Sequence, residues 1–534
     1  MESVTFVRLR APYMHRYSGF HPRIKSYSFL GRQYCNTALT LASTVPARAR
    51  ELTCNAGSKM EPIYDDANTE FSFEDWLFNS WDVGITLDDL DKFCSDNALM
   101  YYQILVEVRW LLKLSEIPEV KEVPTFSQET RAFLENIIQD FNEKEALEVK
   151  KKQQTNYDLK AVVYYLKQKC DGHSEVLEVL DFSHSMCTSE DINNVAYGLL
   201  IKDTINHVMF PVMADLCKAL CAMARNNAHI AMLSHSHGQA SGTTLGIEMA
   251  TFAFRLGYWA RRISQVPIFG NFAGVVDKYN AYKLAYRDID WPHVAQEFVT
   301  SFGLQFNPCT TQIESHYHMV ELSDILVNFN NVLVEFTDEV RRYISLGYFG
   351  QMMKVENESY TYKLDPFDFA NSSCDLIDAK SCLSTIKEFV FTTHWKVNLT
   401  DIQVTRFGLA PSLMAYKKFL LVIEKIEVNE SRLAEDLEKN WVVLAEVMER
   451  YNLPEQHEKL KELTRGIYVD KESISSFIEN LDLPKEEKLY LLNLTPLSYI
   501  GEAENLAKLI DEALGSLLGL KINQGRIYHR GGWG

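Results

Sequence analysis

The chain has 534 residues, too many for one hydrophobic core and enough for two to four domains. Apolar residues make up 46% and charged residues 24%, the balance of an ordinary globular protein, and a net charge of −18 argues against nucleic acid or an anionic membrane as the main partner. No uninterrupted apolar run approaches a membrane span, and the ten cysteines include no CxxC pair, which suits free thiols in a reducing compartment.

The first fifty residues carry eight Arg or Lys and a single acid, Glu2. An Arg-rich, acid-poor leader reads as an organelle transit peptide, with a disordered basic tail as the other explanation. From 61 to 96 the balance inverts to eleven acids against one lysine, so the mature chain is expected to begin between Cys54 and Glu61. A plastid address, and therefore a plant, is the first expectation; the cytoplasm is the alternative.

Residues 99–114 form a helical apolar stretch with Glu107 and Arg109 inside it, 126–152 reads as a polar-faced helix, and 156–169 as another. In FSHSMCTSEDINN (182–194) a loop should become a helix at Thr188 and Ser189, with Glu190 and Asp191 in the first turn. Hydroxyls and acids there satisfy unpaired N–H groups and suit the positive end of the helix dipole, so an ordinary N-cap accounts for them. The run 190–231 is mostly apolar at helical spacing, with Pro211 as a kink. The clearest element is 314–346, where Leu322, Ile325, Phe329, Leu333, Phe336 and Val340 recur at steps of three and four. A helix of that length suits an extended bundle, and Leu322, Phe329, Leu333 and Phe336 are expected to be buried against other chains. Convincing β alternation is nearly absent, so the fold class is all-α. His235 with His237, and His316 with His318, are HxH pairs whose side chains diverge on a helix, and no acid cluster completes a metal site. No metal or cofactor is expected.

The run CTSEDINN resembles the helix-opening motif of the adenylosuccinate lyases, in the fumarase/aspartase superfamily. Further blocks similar to that family are VEVRWL (106–111), TNYDLKAV (155–162), LSHSHGQ (233–239), DWPH with EFVTS (290–301), NPCTTQIE (307–314), KLKELTRG (459–466) and LTPLSYIGEA (494–503). The resemblance implies a three-domain homotetramer with sites shared between subunits. The expected divisions are a transit peptide 1–55, an N-terminal helical domain 56–180, a central bundle 181–427 and a C-terminal helical domain 428–534. The family eliminates fumarate from adenylosuccinate and from a related imidazole intermediate of purine synthesis. Such a reaction needs a base, an acid, and cationic or hydroxyl anchors for a phosphate and two carboxylates.

By resemblance Thr188 and Ser189 hold a substrate carboxylate, and His184 and Asn193 flank them in the same stretch. His237 matches a catalytic histidine, Lys363 the lysine of a mobile loop, Gln312 and Glu314 the QIE motif, and Arg406 an arginine that reaches the phosphate. The departures are as informative. ENESYTYKLDPFDFANS (356–372) stands where the family has roughly GSSxMPxKxNPxDFENS, so the catalytic serine falls on Glu358 unless a local gap makes Ser359 its substitute. Asp365 replaces an asparagine and adds repulsion where a substrate carboxylate should lie. Tyr157 stands for an acid–base histidine, Gln103 for an arginine, Val397 and Asn398 for an Arg-Asp pair, and Ile402 and Gln403 for a Ser-Thr pair. Asn271, Ala273 and Asp277 replace Lys, Asn and Gly. Each charged hydrogen bond is worth about 1.5–3 kcal/mol, so losing two or three anchors costs on the order of a thousandfold in affinity for a trianion.

The first expectation is therefore a recruited enzyme of plant specialised metabolism. It would act on a small, less anionic carbonyl or enol substrate by isomerisation, conjugate addition or cyclisation, an iridoid-type monoterpene cyclase being one example. His237 would move a proton and Tyr157 donate a hydrogen bond to an oxyanion. The alternatives are an adenylosuccinate lyase that uses Ser359 as base, and a non-catalytic homologue that assembles with an active one.

Overall fold

The computed structural model describes residues 87–152, 159–234, 242–274, 278–310, 313–355, 358–362, 400–439, 471–480 and 484–518, with a few positions between 376 and 384. The basic leader lies outside the described residues, and those described all fall in one compact unit, Gly84–Gly534.

A short acidic helix, α1 (Asp88–Asp91), leads into α2 (Asp96–Leu114), which is capped by the Ser95 hydroxyl accepting from the Ala98 N–H at 3.2 Å. Apolar residues occupy nearly every face of α2, so it is buried all round, with Ile104, Val106, Trp110 and Leu114 almost inaccessible. Around it pack α3 (Gln128–Gln139), α4 (Glu143–Lys152), α5 (Leu159–Lys169) and α6 (Ser174–Met186). The single helix expected over 126–152 is two. Asn142 interrupts it, because its side-chain oxygen accepts from the N–H groups of Lys144 and Glu145 and so starts a new helix.

Next come α7 (Ser189–Thr204), a π-helical turn (Ile205–Met209) and α8 (Phe210–Asn226). Pro211 sits in the first turn of α8, where its missing N–H is tolerated, and the wider π turn just before it absorbs the change of register. The whole run Ser189–Asn226 is long and apolar enough by composition to cross a membrane, contrary to the reading from uninterrupted apolar length. Its apolar side chains are spent on packing, α7 against α2 and α8 against the next long helix.

That helix is α9 (Leu245–Ser264), reached through an antiparallel pair, β1 (Ala231–Leu233) and β2 (Gly242–Thr244), in which Leu233 faces Gly242. After it, β3 (Phe269–Gly270) precedes α10 (Asn280–Ala285) and α11 (Trp291–Ser301), and pairs in parallel with β4 (Gln305–Phe306). The longest element, α12 (Tyr317–Leu346), ends at Gly347, whose φ of +78° is the left-handed conformation that closes a helix. β5 (Phe349–Val355) and β6 (Glu358–Tyr362) then form a hairpin, and α13 (Thr400–Ile423) leads to β7 (Ile426–Val428), which pairs with the other edge of β5. Last are α14 (Glu430–Glu438), α15 (Lys471–Glu479), α16 (Lys485–Asn493), α17 (Ala503–Lys508) and α18 (Ile510–Leu518), of which α17 and α18 pack on α9.

The bundle core lies among α8, α9, α12 and α13. Phe336 meets Phe252 edge-on at 5.4 Å and Phe419 at 6.4 Å, while Phe329 meets Tyr416 at 5.1 Å. Leu322, Phe329, Leu333 and Phe336 are at most 3% exposed within one chain, which corrects the expectation that other chains cover them. One polar network sits in this core: Asn330 donates to the Ser412 hydroxyl at 3.0 Å and accepts from the Tyr416 hydroxyl at 2.5 Å. Cys94, Cys170, Cys187, Cys217 and Cys221 are free and buried, and Cys309 is free and exposed. The all-α reading holds apart from these short strands. They are two to seven residues long and defined by pairing across the chain, so no alternation in sequence announces them.

Candidate functional site

The start of α7 is built by four residues. Cys187 and Thr188 are extended, and the Thr188 hydroxyl accepts from the Asp191 N–H at 3.3 Å while the Asp191 carboxylate accepts from the Thr188 N–H at 2.8 Å, a complete capping box. Asp191 does more than cap. Its side chain is fully buried, takes the Thr188 hydroxyl at 3.1 Å, and with its other oxygen accepts from the Ala273 and Gly274 N–H groups at 2.8 and 3.1 Å. Burial pushes its carboxyl above the ordinary value, against the opposing pull of these hydrogen bonds. Gly274 is needed beside it: its φ is +87°, and a Cβ there would run into the Tyr282 ring.

One turn on, the Asn193 side-chain oxygen accepts from Gln103 of α2 at 2.9 Å. Asn194 accepts from the Glu314 N–H at 3.2 Å, and the buried Glu314 carboxylate accepts from Asn307 at 3.2 Å and from the Ser315 hydroxyl at 3.3 Å. Burial raises the Glu314 pKa as well. Asn271 donates to the Thr310 hydroxyl at 2.9 Å. Three segments far apart in sequence, 187–194, 271–274 and 307–315, thus meet around the first two turns of α7, with Ser189 exposed at its mouth. The positive helix end and its hydroxyls can hold a carboxylate, and the network behind fixes their position.

The expected site residues are distributed as follows. Thr188, Ser189, Asn193 and Glu314 come together. His184 belongs to α6, so FSHSM closes a helix instead of forming a loop, and only Cys187 and Thr188 separate α6 from α7. Ser359 is also not in a loop: it lies on β6, paired with Lys354 of β5. Tyr157, His237, Gln312, Lys363 and Asp365 lie outside the described residues. Arg406 sits on α13, where its guanidinium is ion-paired with Asp91 of α1 at 2.5 Å. Cys94 is next to that pair, its thiol pushed up to about 12 chiefly by burial.

His316 and His318 do not diverge as expected of an HxH pair. His316 precedes α12 with φ of +51°, and the ring centroids stand 5.7 Å apart. Neither ring nitrogen of His318, nor Nε2 of His316, has a hydrogen-bond partner among the described residues. Burial lowers their pKa values to about 3 and about 4 respectively. Among the described residues no group of three His, Cys, Asp or Glu side chains could hold a metal.

Sequence reasoning saw Asp191 as a first-turn acid, and its hub role was missed. The Thr-x-x-Asp spacing signals half of it, the capping box. Nothing in the sequence tells that the backbone of Ala273 and Gly274 supplies the other half.

Comparison with known proteins agrees with this architecture. The described fold is that of the fumarase/aspartase superfamily. It matches a fumarate lyase from Mesorhizobium with a TM-score of 0.62 over 82% of this chain and 99% of that one at 16% identity, and the β-carboxy-cis,cis-muconate cycloisomerase of Acinetobacter calcoaceticus with a TM-score of 0.58 over 80% and 98% at 15%. Residues 83–359 match the Lyase family and 393–500 match the family described as Adenylosuccinate lyase C-terminal. Adenylosuccinate lyase of Haemophilus influenzae is 40% identical over 426 residues, 78% of this chain and 93% of the relative, and that of Escherichia coli is 40% identical over 421 residues, 77% and 92%. The chain belongs to the adenylosuccinate lyase family.

Proposed function

We propose that the chain is a β-eliminating lyase that releases fumarate from an N-succinyl substrate of the adenylosuccinate type. The observation that carries this reading is the preserved carboxylate cradle, Thr188 and Ser189 at the positive end of α7 with buried Asp191 behind them, in a chain 40% identical to adenylosuccinate lyases over nine-tenths of their length. In such a reaction a base removes the proton beside a carboxylate, the C–H electrons become the new C=C bond, the C–N bond breaks, and an acid protonates the leaving nitrogen. His237 and Tyr157 are the proton donors assigned here, Ser359 the base, and Lys363 and Gln312 the partners of developing charge. The assembly is taken to be a homotetramer with sites shared between subunits. The Arg-rich leader supports a plastid address, testable by import of a reporter fused to residues 1–55.

Fumarate release from adenylosuccinate by the purified full-length chain is the test. The expected rate lies at least a thousandfold below that of an ordinary family member, because two acid–base groups are replaced and each is typically worth about 10²–10⁴-fold. His237→Ala should abolish what remains. No fumarate above buffer overturns the reading.

A second reading, the recruited isomerase or cyclase for a neutral carbonyl or enol compound, is favoured by one observation. Gln103, at a position the family fills with arginine, is engaged in an uncharged amide pair with Asn193. Product chirality that changes with His237→Ala, in a carbonyl or enol assay that yields no fumarate, would favour it.

A further inference from the structure

We propose that Asp91 is a specificity-determining residue: by holding the Arg406 guanidinium it makes the distal end of the substrate site suited to a group without phosphate. The proposal rests on the lyase reading of Arg406 and deepens it by naming the substrate class, an N-succinyl compound whose nitrogen-bearing half is neutral.

The geometry begins with α1, four residues of which three are acids, Asp88, Asp89 and Asp91. Asp91 Oδ1 lies 2.5 Å from Arg406 Nη2, the arginine side chain being only 25% exposed. One turn further along α13 and on the facing side, Asp89 lies 3.4 Å from Lys417 and also 3.8 Å from Lys92. The two helices are thus joined by charge along their contact. An arginine offers its fork to one planar anion at a time with best geometry, and a carboxylate already there is an internal competitor at unlimited effective concentration. A phosphate arriving at Arg406 must displace Asp91 and then lie beside a freed carboxylate, with Asp88 and Asp89 adding like charge. A neutral group meets no such opposition.

The surroundings point the same way. Cys94, on the turn after Asp91, and Leu409, one turn after Arg406, line a small enclosed cavity with Leu200, Leu326 and Leu383. It is almost wholly apolar. Removing the Asp91 charge exposes Arg406 to an external anion without disturbing that wall, because Asp91 itself is 42% exposed.

Calorimetric titration of the full-length chain with adenosine monophosphate and with adenosine, at low salt, tests the idea. The wild-type chain is expected to bind the two within about threefold of each other. Asp91→Asn should gain at least tenfold for the monophosphate and leave adenosine unchanged. The double variant Asp91→Asn with Arg406→Gln should lose that gain. Asp91→Ala serves as a second removal of the charge, with a melting curve to show that each variant is folded. Wild-type preference for the monophosphate of tenfold or more overturns the proposal, as does an Asp91→Asn protein with no gain, or a gain that survives loss of Arg406. Turnover separates this from the lyase reading: succinyladenosine should release fumarate at least as fast as adenylosuccinate. If neither releases fumarate the lyase reading fails, while the binding comparison still decides the role of Asp91.

Discussion

Asp191→Asn should cost more than any other single polar change in the described part of the site. In the wild type one carboxylate accepts four hydrogen bonds, two from Thr188 and one each from the Ala273 and Gly274 backbone. The amide keeps one oxygen and turns an N–H₂ toward the donors on the other side, so two donors lose their partner inside a fully buried pocket. Each buried donor left unsatisfied costs about 1–3 kcal/mol, which makes about 3 kcal/mol a central expectation. Thr188→Ala removes only the cap hydroxyl and should cost about 1 kcal/mol. Burial already disfavours the charged form of Asp191, and the neutral amide recovers part of that, so the upper end of the range is not expected. Hydrogen exchange read by mass spectrometry localises the effect. Peptides covering 187–194 and 271–274 should lose protection together in Asp191→Asn, whereas Thr188→Ala should loosen only the first. Equal protection in both segments for the Asn variant and the wild type, with an unchanged melting temperature, would refute the reasoning that one carboxylate ties the helix to the loop.

His316 and His318 have folded pKa values below the ordinary 6.5, so the folded state binds fewer protons than the unfolded one, and the stability they contribute is full above about pH 6.5 and is lost as pH falls toward 4 and 3. Each contributes a slope of up to about 1.4 kcal/mol per pH unit in that window, and His318→Leu should flatten the curve of urea midpoint against pH. Tyr416→Phe leaves the Asn330 oxygen without its buried donor and should lower stability by about 1–3 kcal/mol by the same denaturation. Light scattering at micromolar concentration should report four chains per particle; a monomer contradicts the proposed assembly.

Much of this protein was legible before any coordinates. The apolar positions of α12 recur at helical steps, and the hydroxyl-acid run at 188–191 marked a helix start, because both signals are local: they depend on neighbours within one or two turns. Other features depend on which segments meet. Asn142 split one expected helix because its side chain found two N–H groups to cap. His316 left the helical conformation, so an HxH spacing that should hold two rings apart brings them within 5.7 Å. The stripe on α12 was correctly read as buried but assigned to other chains, since periodicity gives the apolar face and says nothing of what covers it; α9 and α13 of the same chain do. The charge on Arg406 was read from its letter alone, and only the fold places Asp91, 315 residues earlier, against it. Sequence thus determined the helices, the family and the carboxylate cradle. Tertiary structure decided which charges cancel and which buried groups share a partner, because hydrogen bonds and ion pairs between distant segments exist only once the chain has brought them within about 3 Å.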